Sequence, residues 1–261
     1  MKKSTAVILL FAVLIVLGLS RAEQTEPEVF TSGDYQYVLL EDGTAEIVGY
    51  SGETEELVIP DALNGFKVTG IGDYAFYKYK PLTSVTIPDG VARIGDDAFS
   101  LCRYLSSVTI PDSVSDIGRN PFVCCYHLND FVVSANNPYL SVIDGVLFSE
   151  PDQRLVCFPS ALEMASYTIP DGILVIGDEA FYGNEFLTSI TIPDSVVFIG
   201  EGAFQYCELA SLAIPDSVTE IGEDAFSDCD SLTVLVGKDS YAKQYCSEYE
   251  IPYTIRMPAA D

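Results

Sequence analysis

Among side chains able to do redox, metal or nucleophilic chemistry, the sequence carries seven cysteines and a single histidine, and their spacing restricts what that chemistry can be. Cys102, Cys125, Cys207 and Cys229 each fall three residues after a phenylalanine, at Phe99, Phe122, Phe204 and Phe226. A cysteine that recurs at a fixed place reads as a small apolar side chain under a turn, so these four are expected to be buried structural thiols. Pairing of Cys102 with Cys125, or of Cys207 with Cys229, is the alternative that adjacent repeats leave open. Cys124, Cys157 and Cys246 lie off the pattern, and no Cys-x-x-Cys pair offers a thiolate metal site. A catalytic triad or imidazole metal centre would have to be built on His127 alone. That residue stands just before Leu128 at the start of a strand and reads as a surface or packing side chain. Neither a phosphate-cradling glycine loop nor a Gly-x-Ser-x-Gly elbow occurs. No catalytic residue, cofactor or metal is assigned.

Acidity dominates the electrostatics: 39 Asp and Glu against 13 Lys and Arg give a formal charge of −26. Nucleic acid and an anionic membrane surface both require a basic patch, so both are poor partners, and solubility is the plain reading of the charge. The Asp of a recurring Ile-Pro-Asp triplet would line an edge through Asp89, Asp112, Asp171, Asp194 and Asp216. Stacked carboxylates can hold a divalent cation weakly, but calcium-binding repeats cluster their acids within one loop, which favours turn chemistry here.

Contact with a partner is the remaining chemistry. Binding hot spots favour Trp, Tyr and Arg, and the sequence has no Trp but 16 Tyr. Tyr77, Tyr79, Tyr104, Tyr126, Tyr182 and Tyr206 gather between the repeated Phe and the following strand, while Thr86, Thr109 and Thr191 take outward strand positions. These residues form the candidate partner-binding set.

The elements that position them come from an internal repeat. Ile-Pro-Asp begins at Ile59, Ile87, Ile110, Ile169, Ile192 and Ile214, with spacings of 28, 23, 59, 23 and 22 residues. Ile-Gly follows at Ile71, Ile94, Ile117, Ile176, Ile199 and Ile221, then Ala-Phe ending at Phe76, Phe99, Phe181, Phe204 and Phe226, with Pro121-Phe122 in the third copy. A 23-residue unit lies in the range of leucine-rich repeats. Val108 and Ile110 alternate with polar neighbours, the period-2 pattern of a strand with one buried face. Pro111 cannot donate to a ladder and ends that strand, and Asp112-Ser113 suits the turn. Acid pairs such as Asp96-Asp97 and Glu223-Asp224 sit where a short helix would start. One unit cannot bury its own apolar face, so units must stack around a shared interior beside one continuous parallel sheet. Around eight rungs give a rod roughly 40 Å long. The expected core comprises Ile87, Ile94, Phe99, Cys102, Ile110, Ile117, Phe122, Cys125, Ile169, Ile176, Phe181, Ile192, Ile199, Phe204, Cys207, Phe226 and Cys229.

The pattern Leu-x-x-Val-x-Ile-Pro-Asp-x-Val-x-x-Ile-Gly-x-x-Ala-Phe-x-x-Cys resembles the repeat of the BspA-like leucine-rich-repeat proteins, over about residues 34 to 255. The resemblance implies an α/β solenoid, a right-handed superhelix with a parallel sheet on one face and short helical turns opposite. It also implies an exported or surface protein that binds or adheres, with no catalytic position in the pattern. Residues 34–50, turning at Asp42-Gly43, look like the family's N-terminal hairpin cap. N-terminal rungs would span 57–133, an inserted hairpin rung 134–165, C-terminal rungs 166–236 and a C-terminal cap 237–256. The leucine-rich-repeat domain as a whole would cover 34–256.

The ends complete the reading. Lys2 and Lys3, the apolar run Ala6 to Leu19 and the small-x-small site Ser20-Arg21-Ala22 read as a signal peptide over 1–22, cleaved near Ala22. The run is shorter than the roughly 20 residues that span a bilayer, so no membrane insertion of the mature chain is expected. Cleavage would remove three bases and no acid, taking the charge to about −29. A flexible segment at 23–33 and a tail at 257–261 would flank the repeats. The function expected is a secreted or cell-surface module that binds an extracellular or surface protein without catalysis. A carbohydrate-binding module is the alternative, weakened by the lack of Trp for sugar stacking, and a hydrolase comes last.

Overall fold

Apolar residues that alternate over only three or four positions can be buried on one face only against a neighbouring coil, which makes the 23-residue period a stacking distance in space. A computed structural model describes residues 27–256 and shows a β-solenoid of about nine turns, mostly strand with little helix. The segment read as a signal, 1–22, and the tail 257–261 lie outside the described residues.

Three antiparallel strands open the fold: β1 (Val29–Ser32), β2 (Tyr35–Leu39) and β3 (Ala45–Tyr50). Asp42 closes the second turn, its Oδ1 accepting from Thr44 N at 2.9 Å, while Gly43 takes φ 80°. The expectation of flexibility over 23–33 is corrected in part. Val29–Ser32 pairs residue by residue with Tyr35–Val38, because Gly33, at φ 58°, turns the chain back onto an open ladder.

Each rung then adds a strand to either side of the stack. In the N-terminal half, β4 (Glu56–Val58), β7 (Ser84–Thr86), β9 (Ser107–Ile110) and β11 (Asp130–Val133) make a four-stranded parallel sheet. Opposite them, β6 (Phe66–Ile71), β8 (Arg93–Ile94) and β10 (Asp116–Ile117) extend the cap sheet, with β5 (Ala62–Leu63) paired antiparallel to β6. The insertion contributes β12 (Leu140–Ile143), β13 (Val146–Ser149) and β14 (Arg154–Cys157). β16 (Val175–Ile176), β18 (Phe198–Ile199) and β20 (Glu220–Ile221) continue from it in parallel. A five-stranded sheet closes the C-terminal half: β15 (Ser166–Thr168), β17 (Ser189–Thr191), β19 (Ser211–Ala213), β21 (Thr233–Val236) and β22 (Tyr253–Ile255). Ser240 caps the single helix among the described residues, α1 (Tyr241–Glu248), by accepting from Lys243 N.

Three expectations change. The repeats form four sheets rather than one continuous sheet, because each rung gives a strand to two sides of the stack and the inserted hairpin separates the halves, β11 from β15. The interior divides too. Leu147, Val156 and Cys157 join the N-terminal core while Val146, Phe148, Leu155 and Phe158 join the C-terminal one, so the hairpin is a wall buried on both faces. In place of the short helices opposite the sheet stand hydrogen-bonded turns, such as Ser100 N–H to Asp97 O at 2.9 Å: Asp97 and Asp224 sit at φ 54° and 55°, a left-handed conformation no α-helix accommodates. The acid pairs therefore do not meet a helix N-terminus.

Aromatic rings run through both cores. Phe76, Phe99 and Phe122 stack at centroid distances of 4.9 and 5.7 Å, and Phe158, Phe181, Phe204 and Phe226 at 5.3, 5.0 and 5.5 Å. Tyr50 closes the first column and Tyr245 the second. Phe158 fills the phenylalanine place of the hairpin rung, as its N–H bond to Ala180 O at 2.8 Å shows.

Candidate functional site

The turns that carry the tyrosines are fixed by a ladder between rungs. Tyr74, Phe76 and Lys78 donate their N–H groups to the carbonyls of Asp96, Ala98 and Ser100 at 3.0, 2.7 and 2.9 Å. Acidic side chains add to it: Asp73, Asp96 and Asp178 each accept from the backbone N–H of Asp96, Arg119 and Glu201, all at 2.9 Å. These acids tie one coil to the next, which accounts for their recurrence.

On this frame Tyr77, Tyr104, Tyr126 and Tyr206 are exposed by 42–56%, and Tyr182 is half-buried. Tyr182 lies edge-on to Tyr206 at 5.4 Å, Tyr104 lies 5.3 Å from His127, and Arg103 stands over Tyr126 at 5.8 Å. Tyr126 and Tyr182 come from opposite sides of the insertion, and both meet Cys124. The hydrogen bond to Cys124, then burial, pushes the Tyr126 hydroxyl up to about 12. Tyr79 does not belong to this surface. It is buried and donates to Thr54 O at 2.8 Å, because it stands three residues after Phe76, the place cysteine fills in other rungs. Tyr74 was missed; it is 51% exposed and edge-on to Tyr77 at 5.7 Å. Its only sequence signal is that it replaces an acid of the turn.

On the strand side, Thr86 and Thr191 are exposed and Thr109 is half-buried. Thr86 and Thr109 are register partners, whereas Thr191 lies in the other half's sheet between Thr168 and Ala213. Neighbouring hydroxyls are already engaged: those of Thr83, Ser106 and Thr188 donate to the carbonyls of Glu55, Thr83 and Ala165.

Cys102, Cys125, Cys207 and Cys229 each donate to the carbonyl of the preceding rung's phenylalanine, at 3.1, 3.2, 3.0 and 2.9 Å. All seven thiols are unpaired, and burial pushes those of Cys102 and Cys207 up to about 12. His127 is exposed and bonds Arg103 O through Nδ1 at 2.8 Å. The aspartates of the six Ile-Pro-Asp triplets are all exposed. The most perturbed carboxyl is Glu179, raised to about 7 by burial and then by Asp97, with Arg119 opposing. No helix among the described residues is long and apolar enough to cross a membrane.

The profile of the BspA type leucine rich repeat region matches residues 53–151 and 154–249, in six copies. Among solved structures, the chain is similar to a leucine rich cell surface protein from Faecalibacterium prausnitzii. Identity is 35%, over 83% of this chain and 56% of that one, with a TM-score of 0.54. The chain thus spans little more than half the length of that protein. A leucine-rich repeat protein from Eubacterium ventriosum shows a similar fold at 22% identity, over 82% of this chain and 73% of that one, with a TM-score of 0.52. No curated protein matches. With three quarters of its length matched and its phenylalanine and cysteine columns in register from coil to coil, the chain belongs to the BspA-type leucine-rich repeat family.

Proposed function

We propose that the chain is a non-enzymatic binding module that offers its tyrosine-bearing turns to a protein partner outside the cytoplasm. The observation that carries this reading is the exposure, by 42–56%, of Tyr74, Tyr77, Tyr104, Tyr126 and Tyr206 on turns held rigid by the ladder. Tyrosine supplies large contact area with few rotatable bonds, and exposed aromatic clusters on a stable scaffold mark interaction surfaces. The signal expected at residues 1–22 and the surface location named for the Faecalibacterium relative support an extracellular setting. The exposed threonines Thr86 and Thr191 are a weaker part of the same reading, being small and lying on separate sheets.

The test is capture of extracellular and surface proteins by the chain and by a variant with Tyr77, Tyr104, Tyr126 and Tyr206 changed to Ser, beside a glycan array. A specific protein partner is expected for the parent, with at least a tenfold loss in the variant. Binding confined to glycans, or capture indifferent to the four substitutions, would overturn the proposal.

A further inference from the structure

Within each half, a rung turn passes its N–H groups to the coil that follows. Phe99, Phe181 and Phe204 donate to the carbonyls of Pro121, Ala203 and Ala225, each at 2.8 Å. Gly202 and Tyr206, flanking Phe204, donate to Glu223 and Ser227 at 3.0 and 3.1 Å. Residues 224–228 form the last turn of the column. The N–H groups of Asp224, Phe226 and Asp228 meet no acceptor among the described residues.

The N-terminal half ends its column differently. Asn120 Oδ1 accepts from Phe122 N at 3.1 Å, so a side chain of the same turn satisfies that donor. Asp224 holds the corresponding position in the last turn, at φ 55°, and makes no bond to Phe226 N. Phe226 itself is only 4% exposed, so the turn rests against the core. The first half's column is closed from within, and the second half's is left open as a hydrogen-bonding edge.

Beside that edge, a cleft of about 390 Å³ opens between the turn and the end of α1, with Tyr245, Tyr249 and Pro252 on its far wall. Asp224, Asp228, Asp230 and Glu250 border it, and none of its lining residues is basic. In the preceding rung the same donors are met by alternate carbonyls of the following coil, as Gly202, Phe204 and Tyr206 are by Glu223, Ala225 and Ser227, so a covering segment would present alternate carbonyls in the same way. The charge selects the occupant. A second copy, at a net −26, would be repelled.

We propose that this cleft takes a peptide segment bearing lysine or arginine. Its alternate carbonyls accept from the amides of Asp224, Phe226 and Asp228, and its cations meet the four carboxylates. The proposal shares with the preceding section the reading of the chain as a protein binder, but it places this contact on the last turn, which meets the tyrosine surface only at Tyr206.

The test is an amide NMR titration of the whole chain with acetyl-Thr-Lys-Val-Lys-Thr-amide and with its counterpart carrying Glu for Lys. The lysine peptide is expected to give saturable downfield shifts at the amides of Asp224, Phe226 and Asp228, and the glutamate peptide none. Asp228→Asn, Asp230→Asn and Glu250→Gln together are expected to weaken binding about tenfold or more at low salt. Equal binding of both peptides, binding that leaves the three amides unmoved, or absence of saturation would each overturn the proposal. A variant with only Tyr77, Tyr104 and Tyr126 changed to Ser, all in the other half, should titrate like the parent, so failure of the tyrosine surface and failure of this cleft give different results.

Discussion

Asn120 Nδ2 donates a 2.8 Å hydrogen bond to the carbonyl oxygen of Glu179, joining coils 59 residues apart across the inserted hairpin. The same side chain accepts from Phe122 N through Oδ1, so one buried amide both closes the first column and fastens it to the second half. Asn120→Ala should destabilise the chain by about 2–4 kcal/mol, since a bond is lost and a buried donor is left unpaired. Asn120→Asp, which keeps the acceptor for Phe122 N but turns a buried carboxylate oxygen toward the Glu179 carbonyl, should cost at least as much at neutral pH. Urea unfolding of the three proteins checks the order.

Phe158 lies outside the Ala-Phe motif, yet its ring stacks 5.3 Å from Phe181 and it is 2% exposed. Phe158→Ala is expected to cost about 3–5 kcal/mol, as much as Phe181→Ala within the motif. A Phe158→Ala loss below about 1 kcal/mol in the same unfolding assay would contradict its place in the column.

Thiol accessibility follows the cysteine column. Cys124 and Cys229 are only partly buried, whereas Cys102, Cys125, Cys157, Cys207 and Cys246 are enclosed. Native alkylation at pH 8, read by peptide mass spectrometry, should label Cys124 and Cys229 first and the other five only on unfolding. Cys207→Ala, which removes the donor to Phe181 O, should cost about 1–2 kcal/mol.

Glu179 gives a pH dependence of defined sign. Its carboxyl is raised from 4.5 to about 7 by burial, then by Asp97, with Asp178 and Glu201 adding and Arg119 opposing. The folded chain therefore holds this proton more tightly than the unfolded chain does. The resulting stabilisation is fully present below about pH 4.5 and is lost as pH rises through about 7, on the order of 2–3 kcal/mol in all. Glu179→Gln should raise Tm at pH 8, leave it nearly unchanged at pH 4.5, and flatten the profile between. An unaltered profile in thermal melts across that range would remove Glu179 as its source.

The repeat made the rung legible from residue types alone. Proline ends the strand after Ile110, alternation buries Val108, and the fixed offset from Phe99 to Cys102 marks a column, because each depends on chemistry within a few residues and recurs with the coil. The turn acids were legible as a pattern but not in their purpose, since the N–H groups they accept belong to the next coil, 23 residues on. Tyr79 shows the same limit. Its type suggested a surface, and its place in the column buried it.

The sequence by itself determined the solenoid: a 23-residue unit with one apolar stripe has no stable arrangement except stacking. Only the tertiary structure decided where the stacking is interrupted, which coils meet across the hairpin and which backbone donors remain open at residues 224–228. The reason is physical. Periodicity specifies what each coil offers above and below, but whether an offered N–H is satisfied depends on the neighbour brought to it in space. At the insertion and at the column's end that neighbour is not another copy of the repeat.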